Sequence, residues 1–383
     1  LVNKGYNAIL LEQTALGGDQ TVASQGMIHG GIKYTLSGTL TGASEAIADM
    51  PDHWRACLRG EGDVDLRGVD ILSDHFYLWS SGKALSKMTT FLASKATRGR
   101  VEKVKKKALP TIFQQPEFNG TLYKLVDMVL DVPAVVQKLA DNCRERIFQI
   151  NWASAQWQKD GDGIAAINFD HNGQTCRLDA RQFILTAGQG NEKMLCELGA
   201  KSPKMQRRPL QQAMVKHRYP HSFFGHCLGT DKTPRLTISS HPCDDGHQVW
   251  YLGGSVSEKG ATQSAEDVIK SAKQELTALM PWIDLSNAEW GTLAIDRAEP
   301  RQKNLVRPDK AFAAKIDSCS NVIAAWPTKL TLAPNLADEV QTLLNNENIE
   351  PQDGKIPSLD FLPRPPVAPT PWESAFGLSS RSE

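Results

Sequence analysis

The chain has 383 residues, with 43 Lys+Arg against 43 Asp+Glu and so no net charge, which argues against a general nucleic-acid binder held by a basic surface. Hydrophobic residues make up 40% and charged residues 22%, the balance of a globular protein with one large domain or two interleaved ones. No apolar run nears the ~20 residues of a membrane-spanning helix, and seven scattered cysteines without C-x-x-C or zinc spacing read as reduced thiols, with the cytoplasm as the default compartment.

The first residues, Leu1 to Gly5, read as the end of a helix. An apolar run, Ala8 to Leu11, then ends in Glu12. Gly17-Gly18 and a polar run, Asp19 to Gln25, lead into MIHGGIKY, Met27 to Tyr34. This is the order of the second strand of a dinucleotide-binding βαβ unit and the loop after it, in which an acid at the strand end accepts hydrogen bonds from ribose hydroxyls. Glu12 is that acid. Thr21, Ser24 and Gln25 are side chains that can run along a cofactor, with Met27 and Ile28 continuing beside it. Gly26, Gly30 and Gly31 would let the backbone approach a flat ligand. A buried strand with an ordinary turn fits these residues equally well.

Farther on, Ser37 to Arg59 carries helical spacing (Ala43, Ile47, Met50, Trp54). Val69 to Trp79 alternates as a strand, and Ala84 to Ala96 reads as a helix. The basic stretch Arg98 to Lys107 reads first as a solvated face, with an anionic lipid surface or an acidic partner as the alternative. Leu122 to Leu130 is a strand candidate. Pro133 suits a helix start, and that helix runs to about Arg146. Strands are expected over Ile147 to Gln158 and Ile164 to Phe169, with Asn172-Gly173 as a hairpin turn, and then over Gln182 to Thr186. From Arg208, alternating segments suggest an antiparallel sheet. Ser264 with Asp267 marks a helix N-terminus, Gly291 to Asp296 a strand, Asn321 to Trp326 the last strand, and Pro327 to about Asn345 a turn and helix. Beyond Pro351 the Pro-rich chain reads as an extended tail without a core of its own.

Glu12 followed by SQGMIHGGIKY, then FILTAGQG (Phe183 to Gly190) and WPTKLTLAP (Trp326 to Pro334), resembles the FAD-dependent oxidoreductases of the D-amino-acid-oxidase-like superfamily. Within it, the likeness is greatest to glycerol-3-phosphate dehydrogenases and L-2-hydroxyglutarate oxidases. The resemblance implies an α/β fold, with a split FAD-binding Rossmann-like domain of the glutathione-reductase type interleaved with a mostly antiparallel substrate sheet. FAD-binding parts would cover 1–50, 125–205 and 315–350, a cap segment 51–124, the substrate sheet 206–314 and the tail 351–383. The family's opening strand and G-x-G-x-x-G loop are not in these residues, so the chain reads as a fragment and the phosphate loop is not named. By resemblance, the backbone near Ala155 meets the adenine, Ala187 and Gly188 pass close to the cofactor, and Thr328, Lys329, Leu330 and Thr331 face the flavin pyrimidine ring.

A flavin needs its reduced anion stabilised near N1, which a helix N-terminus or a cation can do. Lys329 is that cation, against the alternative of a solvated lysine. Arg297 is the proposed clamp on the substrate's anionic group, against a salt bridge to Asp296 or Glu299; Arg301 and Arg307 are runners-up. His29 is the first candidate for the base that takes a hydroxyl proton and His226 the second. Lys33 and Tyr34 could complete an anion pocket. No metal cluster, nucleophile elbow or P-loop stands out. The expected activity is FAD-dependent oxidation of a small anionic substrate, a hydroxy acid or a glycerol-3-phosphate-like compound, with electrons passing to oxygen, a quinone or a carrier protein. An amino acid or secondary amine is the second substrate class. A non-catalytic flavin-binding interaction protein is the reading from another class. A peripheral position at the inner membrane surface is the alternative to a free cytoplasmic one.

Overall fold

The structure is a computed structural model and describes residues 1–31, 47–81, 101–229, 233–243, 245–303, 308, 310–351 and 358–378. Lys33, Tyr34, Arg307, the start of the helix expected from Ser37 and the one over Ala84 to Ala96 lie outside them. No helix among the described residues is long and apolar enough to cross a membrane.

The apolar run before Glu12 forms the strand Leu10–Glu12, paired in parallel with Ile147–Gln149. A second parallel pairing joins Phe183–Leu185 to Val322–Trp326, with Phe312–Lys315 antiparallel on the far edge. Val322 to Trp326 are all buried, as expected of a parallel strand covered on both faces. The helix Ala333–Asn346 covers this sheet through Val340 and Leu344, which meet Ile323 and Ala325. Between the two pieces, Gln156–Asp160, Gly163–His171 and Gln174–Asp179 form an antiparallel meander. Asn172 and Gly173, with φ of 50° and 78°, make the tight hairpin turn that their sequence implies.

The substrate-side sheet has eight strands. In spatial order they are Glu289–Pro300, Met205–His217, Gln248–Gly253, Leu236–Pro242, Gly225–Leu228, Phe76–Ser81, Gly120–Leu125 and Val101–Lys103. All neighbours are antiparallel except Gly225–Leu228 beside Phe76–Ser81. One face sets Ala213, Val215, Trp250, Leu252, Leu236 and Ile238 in one core with Val268, Ala272, Leu276 and Leu279 of the helix Ala265–Leu279. Ser264 caps that helix by accepting the Asp267 N–H. By strand alternation, Thr237, Ser239, Tyr251 and His226 belong to the opposite face.

Two expected strands are each broken in two. Val69 to Trp79 is split into Ile71–Ser73 and Phe76–Ser81, and Leu122 to Leu130 into Gly120–Leu125 and Met128–Leu130. In both cases the first-named or last-named piece leaves the large sheet to join a small one with Met27–Ile28. At the first switch Ser73 Oγ donates to the His75 carbonyl, closing a local turn. At the second lie Val126 and Asp127. The strand expected over Ile147 to Gln158 is likewise interrupted, by a 3₁₀ turn at Trp152–Ser154 where Asn151 accepts the Ala153 N–H. The preceding helix is Val132–Asp141, capped by Asp131 and ending short of Arg146.

The Pro-rich segment is not a coreless tail. Leu359 and Leu362 are buried with Phe148, Ile150, Ile167, Phe169 and Leu178. Arg364 lies over the Phe148 ring at 4.2 Å and donates to the Ile147 carbonyl at 2.6 Å. Val367 bridges Leu16 in parallel. The segment ends in the helix Pro371–Phe376, whose Thr370 and Glu373 form a reciprocal capping box.

Candidate functional site

The cofactor loop is fixed at several points. Glu12 accepts the Gln13 and Thr14 N–H groups at 2.7 and 3.0 Å, both on Oε1; Oε2 has no hydrogen bond among the described residues. Gln20 Oε1 accepts the Ala298 N–H at 2.9 Å, and Asp19 accepts from Gln189 at 2.6 Å. Gln25 Nε2 donates to Ser239 Oγ at 3.2 Å and to the Tyr251 carbonyl at 2.8 Å. Gln25 thus pins the loop to the substrate sheet, a use of its amide that differs from cofactor binding. Gly26, at φ 71°, has no room for a Cβ, which would fall 2.2 Å from the Leu130 carbonyl oxygen. A Cβ on Gly30 would meet Val126 Cγ2 at 2.8 Å. These two glycines therefore serve close approach of the chain to itself rather than to a flat ligand.

Met27–Ile28 and the turn after Val322–Trp326 meet at Thr331, which is fully buried. Its Oγ1 accepts the His29 N–H at 3.0 Å and donates to the Met27 carbonyl at 3.2 Å, while its own carbonyl accepts from Trp54 Nε1 at 3.1 Å. Lys329 precedes the 3₁₀ turn Leu330–Leu332 and is 7% exposed. The solvated alternative for this lysine is thereby corrected. Thr328 has φ 62°, an uncommon region for a β-branched residue, held by its Oγ1 bond to the Lys310 carbonyl at 3.0 Å.

His29 is 9% exposed. Its Nδ1 lies 3.2 Å from Asp127 Oδ2, and Asp127 Oδ1 accepts the Gly30 N–H at 2.9 Å. His226, 1% exposed, stacks on His29 with ring centroids 6.3 Å apart and bonds Thr237 Oγ1 through Nδ1 at 2.7 Å. The fold therefore brings His29 and His226 together, and the Thr331 bond joins His29 to the turn that carries Lys329. Asp127 and Thr237 were not found in the sequence. A lone acid inside the apolar run 122–130 was the available signal for Asp127.

Arg297 stands apart from this group. Its Nε donates to the Arg208 carbonyl at 3.2 Å and its Nη1 lies 3.6 Å from Glu258. The residues expected to engage it are taken by others: Asp296 pairs with Arg207 and Glu299 with Arg208. Ala187 and Gly188 lead into the helix Asn191–Glu197. Buried Asn191, another residue the sequence did not reveal, accepts the Ala187 N–H and donates to the Leu185 and Ala325 carbonyls. It locks the ends of two parallel strands to that turn. Ala155 follows the Trp152–Ser154 turn and packs with Phe148 and Ile167. A separate groove between Asp19, Gln189, Leu293, Ile295 and Pro371 includes none of the histidines.

His217, on the opposite face of the sheet, is structural. It is 4% exposed, accepts the Tyr219 N–H at 3.0 Å and packs on Trp250 at 4.5 Å. Burial, with a smaller effect from His247, lowers its pKa to about 4. In the unfolded chain it returns to about 6.5, so the unfolded state binds the extra proton between these values. Stability is full above that window and is lost as pH falls from about 6.5 toward about 4. From pH 7 to 5 the His217 contribution should fall by about 2 kcal/mol. Urea unfolding of wild type and His217→Asn across this range checks it, since the variant should show a flatter pH dependence.

The residues present fit FAD. Among the described residues Ser24 Oγ is buried without a hydrogen-bond partner, an orphan acceptor and donor within the loop that follows Glu12. Glu12 offers Oε2, and a buried lysine precedes a helix N-terminus where a flavin anion would be stabilised.

Residues 1–317 match the family described as FAD dependent oxidoreductase. The probable FAD-dependent oxidoreductase PA4991 of Pseudomonas aeruginosa is 46% identical over 373 residues, which is 97% of this chain and 93% of the relative. Its crystal structure matches with a TM-score of 0.82 at 41% identity, over 97% of this chain and 92% of that one. Glycine oxidase from Geobacillus kaustophilus (TM-score 0.62, 13% identity, 90% of this chain and 92% of that one) shares the fold. So does L-alpha-glycerophosphate oxidase from Mycoplasma pneumoniae, solved with FAD bound (TM-score 0.61, 15% identity, 88% of each chain). Likeness at this level shows the fold alone and does not tie the chain to the glycerol-3-phosphate dehydrogenase or L-2-hydroxyglutarate oxidase types. With its family match, its near-full-length relative and a loop that fits the cofactor, the chain belongs to the FAD dependent oxidoreductase family and is an enzyme that uses FAD.

Proposed function

We propose that the enzyme oxidises a small anionic alcohol, a hydroxy acid or a glycerol-3-phosphate-like compound, at a site beside His29 and His226. The observation that supports this most is the pair of stacked, buried histidines at the junction of cofactor loop and substrate sheet. Oxidising a carbinol needs a base for the hydroxyl proton, whereas a neutral amine does not, and a buried imidazole is suited to that task near neutral pH. When bound, FAD supplies the two-electron acceptor for the hydride leaving the substrate carbon. His29 takes the hydroxyl proton. His226, held by Thr237, orients the hydroxyl. Lys329 stabilises negative charge at the flavin ring. Glu12, Thr21 and Ser24, with the backbone of Met27, Ile28, Ala155, Ala187, Gly188, Thr328, Leu330 and Thr331, line the cofactor. Amino acids and secondary amines are the competing substrate class, and members of both kinds share the fold.

Anaerobic mixing of the FAD-loaded enzyme with hydroxy acids, polyol phosphates, amino acids and N-alkyl amino acids tests this. Loss of the oxidised flavin absorbance with a member of the first two groups is expected. Bleaching only by amines would move the enzyme to the competing class, and bleaching by none would favour a non-catalytic flavoprotein.

A further inference from the structure

The HGG run of the cofactor loop does more than turn the chain. Gly30 has no Cβ, and a Cβ there would press on Val126 at 2.8 Å and on Asp127 Oδ1 at 3.2 Å. Its absence lets the loop settle against the point where the Gly120–Leu125 strand leaves the large sheet and Met128–Leu130 joins the small one. Asp127 sits at that switch, 3% exposed, with each carboxylate oxygen committed to the loop: Oδ1 to the Gly30 N–H at 2.9 Å and Oδ2 to His29 Nδ1 at 3.2 Å.

We infer that Asp127 is a positioning residue that fixes the tautomer of His29. An ionised carboxylate only accepts hydrogen bonds, so the imidazole proton is held on Nδ1 and the basic lone pair is on Nε2. Oδ1 is anchored by a backbone N–H, which fixes the plane of the carboxylate and hence of the ring. The same carboxylate stabilises the imidazolium that forms when Nε2 takes a proton. This deepens the reading of His29 as the base and rests on it.

The anchoring makes Asp127→Asn informative. An asparagine has one acceptor, Oδ1, and the Gly30 N–H claims it. The amide NH2 then faces His29 Nδ1, which must accept, and the ring proton moves to Nε2, the wrong nitrogen for a base. The experiment is nitrogen NMR of the FAD-loaded enzyme carrying ¹⁵N-labelled histidine, followed through a pH titration to its alkaline limit, where the neutral ring reports its tautomer. His29→Gln identifies the His29 signals. The expected result is the Nδ1–H tautomer in wild type and Nε2–H in Asp127→Asn. An Nε2–H tautomer in wild type overturns the inference even if the variant does not fold, and an unchanged tautomer in a folded Asp127→Asn overturns it too. With a substrate that bleaches the flavin, Asp127→Asn should slow reduction about 10²-fold or more, and Asp127→Glu should recover part of the loss. A purely structural Asp127 would leave the tautomer in place. Failure of every substrate would sink the proposed function without touching the tautomer result, and failure of the tautomer would leave the substrate result standing.

Discussion

Replacing Lys329 by methionine should lower the midpoint potential of the bound flavin by a few tens of millivolts. Methionine keeps much of the stem and removes the charge. Lys329 is 7% exposed and immediately precedes the turn Leu330–Leu332 and the helix Ala333–Asn346. A cation beside a helix N-terminus is unfavourable unless an anion is also there. If the reduced flavin is that anion, its charge is stabilised by the ammonium and by the helix dipole together, and the neutral oxidised ring gains less. For a two-electron couple about 30 mV corresponds to about 1.4 kcal/mol, which sets the scale. Flavin reduction by substrate should slow with the potential, because the same charge develops in the transition state. Affinity for oxidised FAD should change less. A potential equal to that of wild type, with normal reduction kinetics, would remove Lys329 from the flavin site and leave it a structural residue.

Replacing Trp372 by alanine should destabilise the protein by about 3–5 kcal/mol, the usual cost of deleting a buried indole. Trp372 is 4% exposed, stacks on His241 with centroids 4.2 Å apart and meets the edge of Tyr251 at 5.8 Å. His241 in turn bonds Ser239 at 2.9 Å, the residue that receives Gln25 of the cofactor loop. The C-terminal arm thus runs from the strand Ile147–Gln149, past Leu16, to the substrate sheet, and its last helix is fastened there. Trp372→Ala should therefore lower the urea midpoint and also loosen FAD, since the strap crosses the loop that follows Glu12. Trp372→Phe should lose less of both. A loss below about 0.5 kcal/mol would mean that the helix does not hold the sheet in solution.

The architecture was legible where local chemistry and tertiary role agree. Pro133 announced a helix start, Ser264 a cap, Asn172-Gly173 a hairpin, and all three stand in the structure. The apolar run Asn321 to Trp326 announced the last strand, and the structure adds that Val322 to Trp326 are all buried. The misses share one physical origin. Alternation continues through Asp74-His75 and Val126-Asp127, and a period-2 pattern reports which side of a strand is buried but not which sheet it belongs to. Hence the two switches went unseen, and with them Asp127, whose position depends on the second. Gly26 and Gly30 were visible as glycines needing close approach, but only the fold shows that the approaching partner is the protein itself. Proline content suggested a free tail, yet Thr370 and Glu373 spelled a capping box that could have predicted its final helix. At the site, His29 and His226 lie 197 positions apart in number and meet through sheet topology, which no spacing rule reaches.

The central claim is that His29 removes the substrate's hydroxyl proton while FAD receives the hydride. It is tested most directly by anaerobic stopped-flow reduction of FAD-loaded wild type and His29→Gln with the hydroxy acid or polyol phosphate that bleaches the wild type. Loss of a positioned general base slows such a step by about 10²–10⁴-fold. The expected result is a reduction rate lowered by that factor in His29→Gln, with FAD affinity and flavin spectrum close to wild type. A variant that reduces its flavin as fast as wild type would contradict the assignment of His29 as the base.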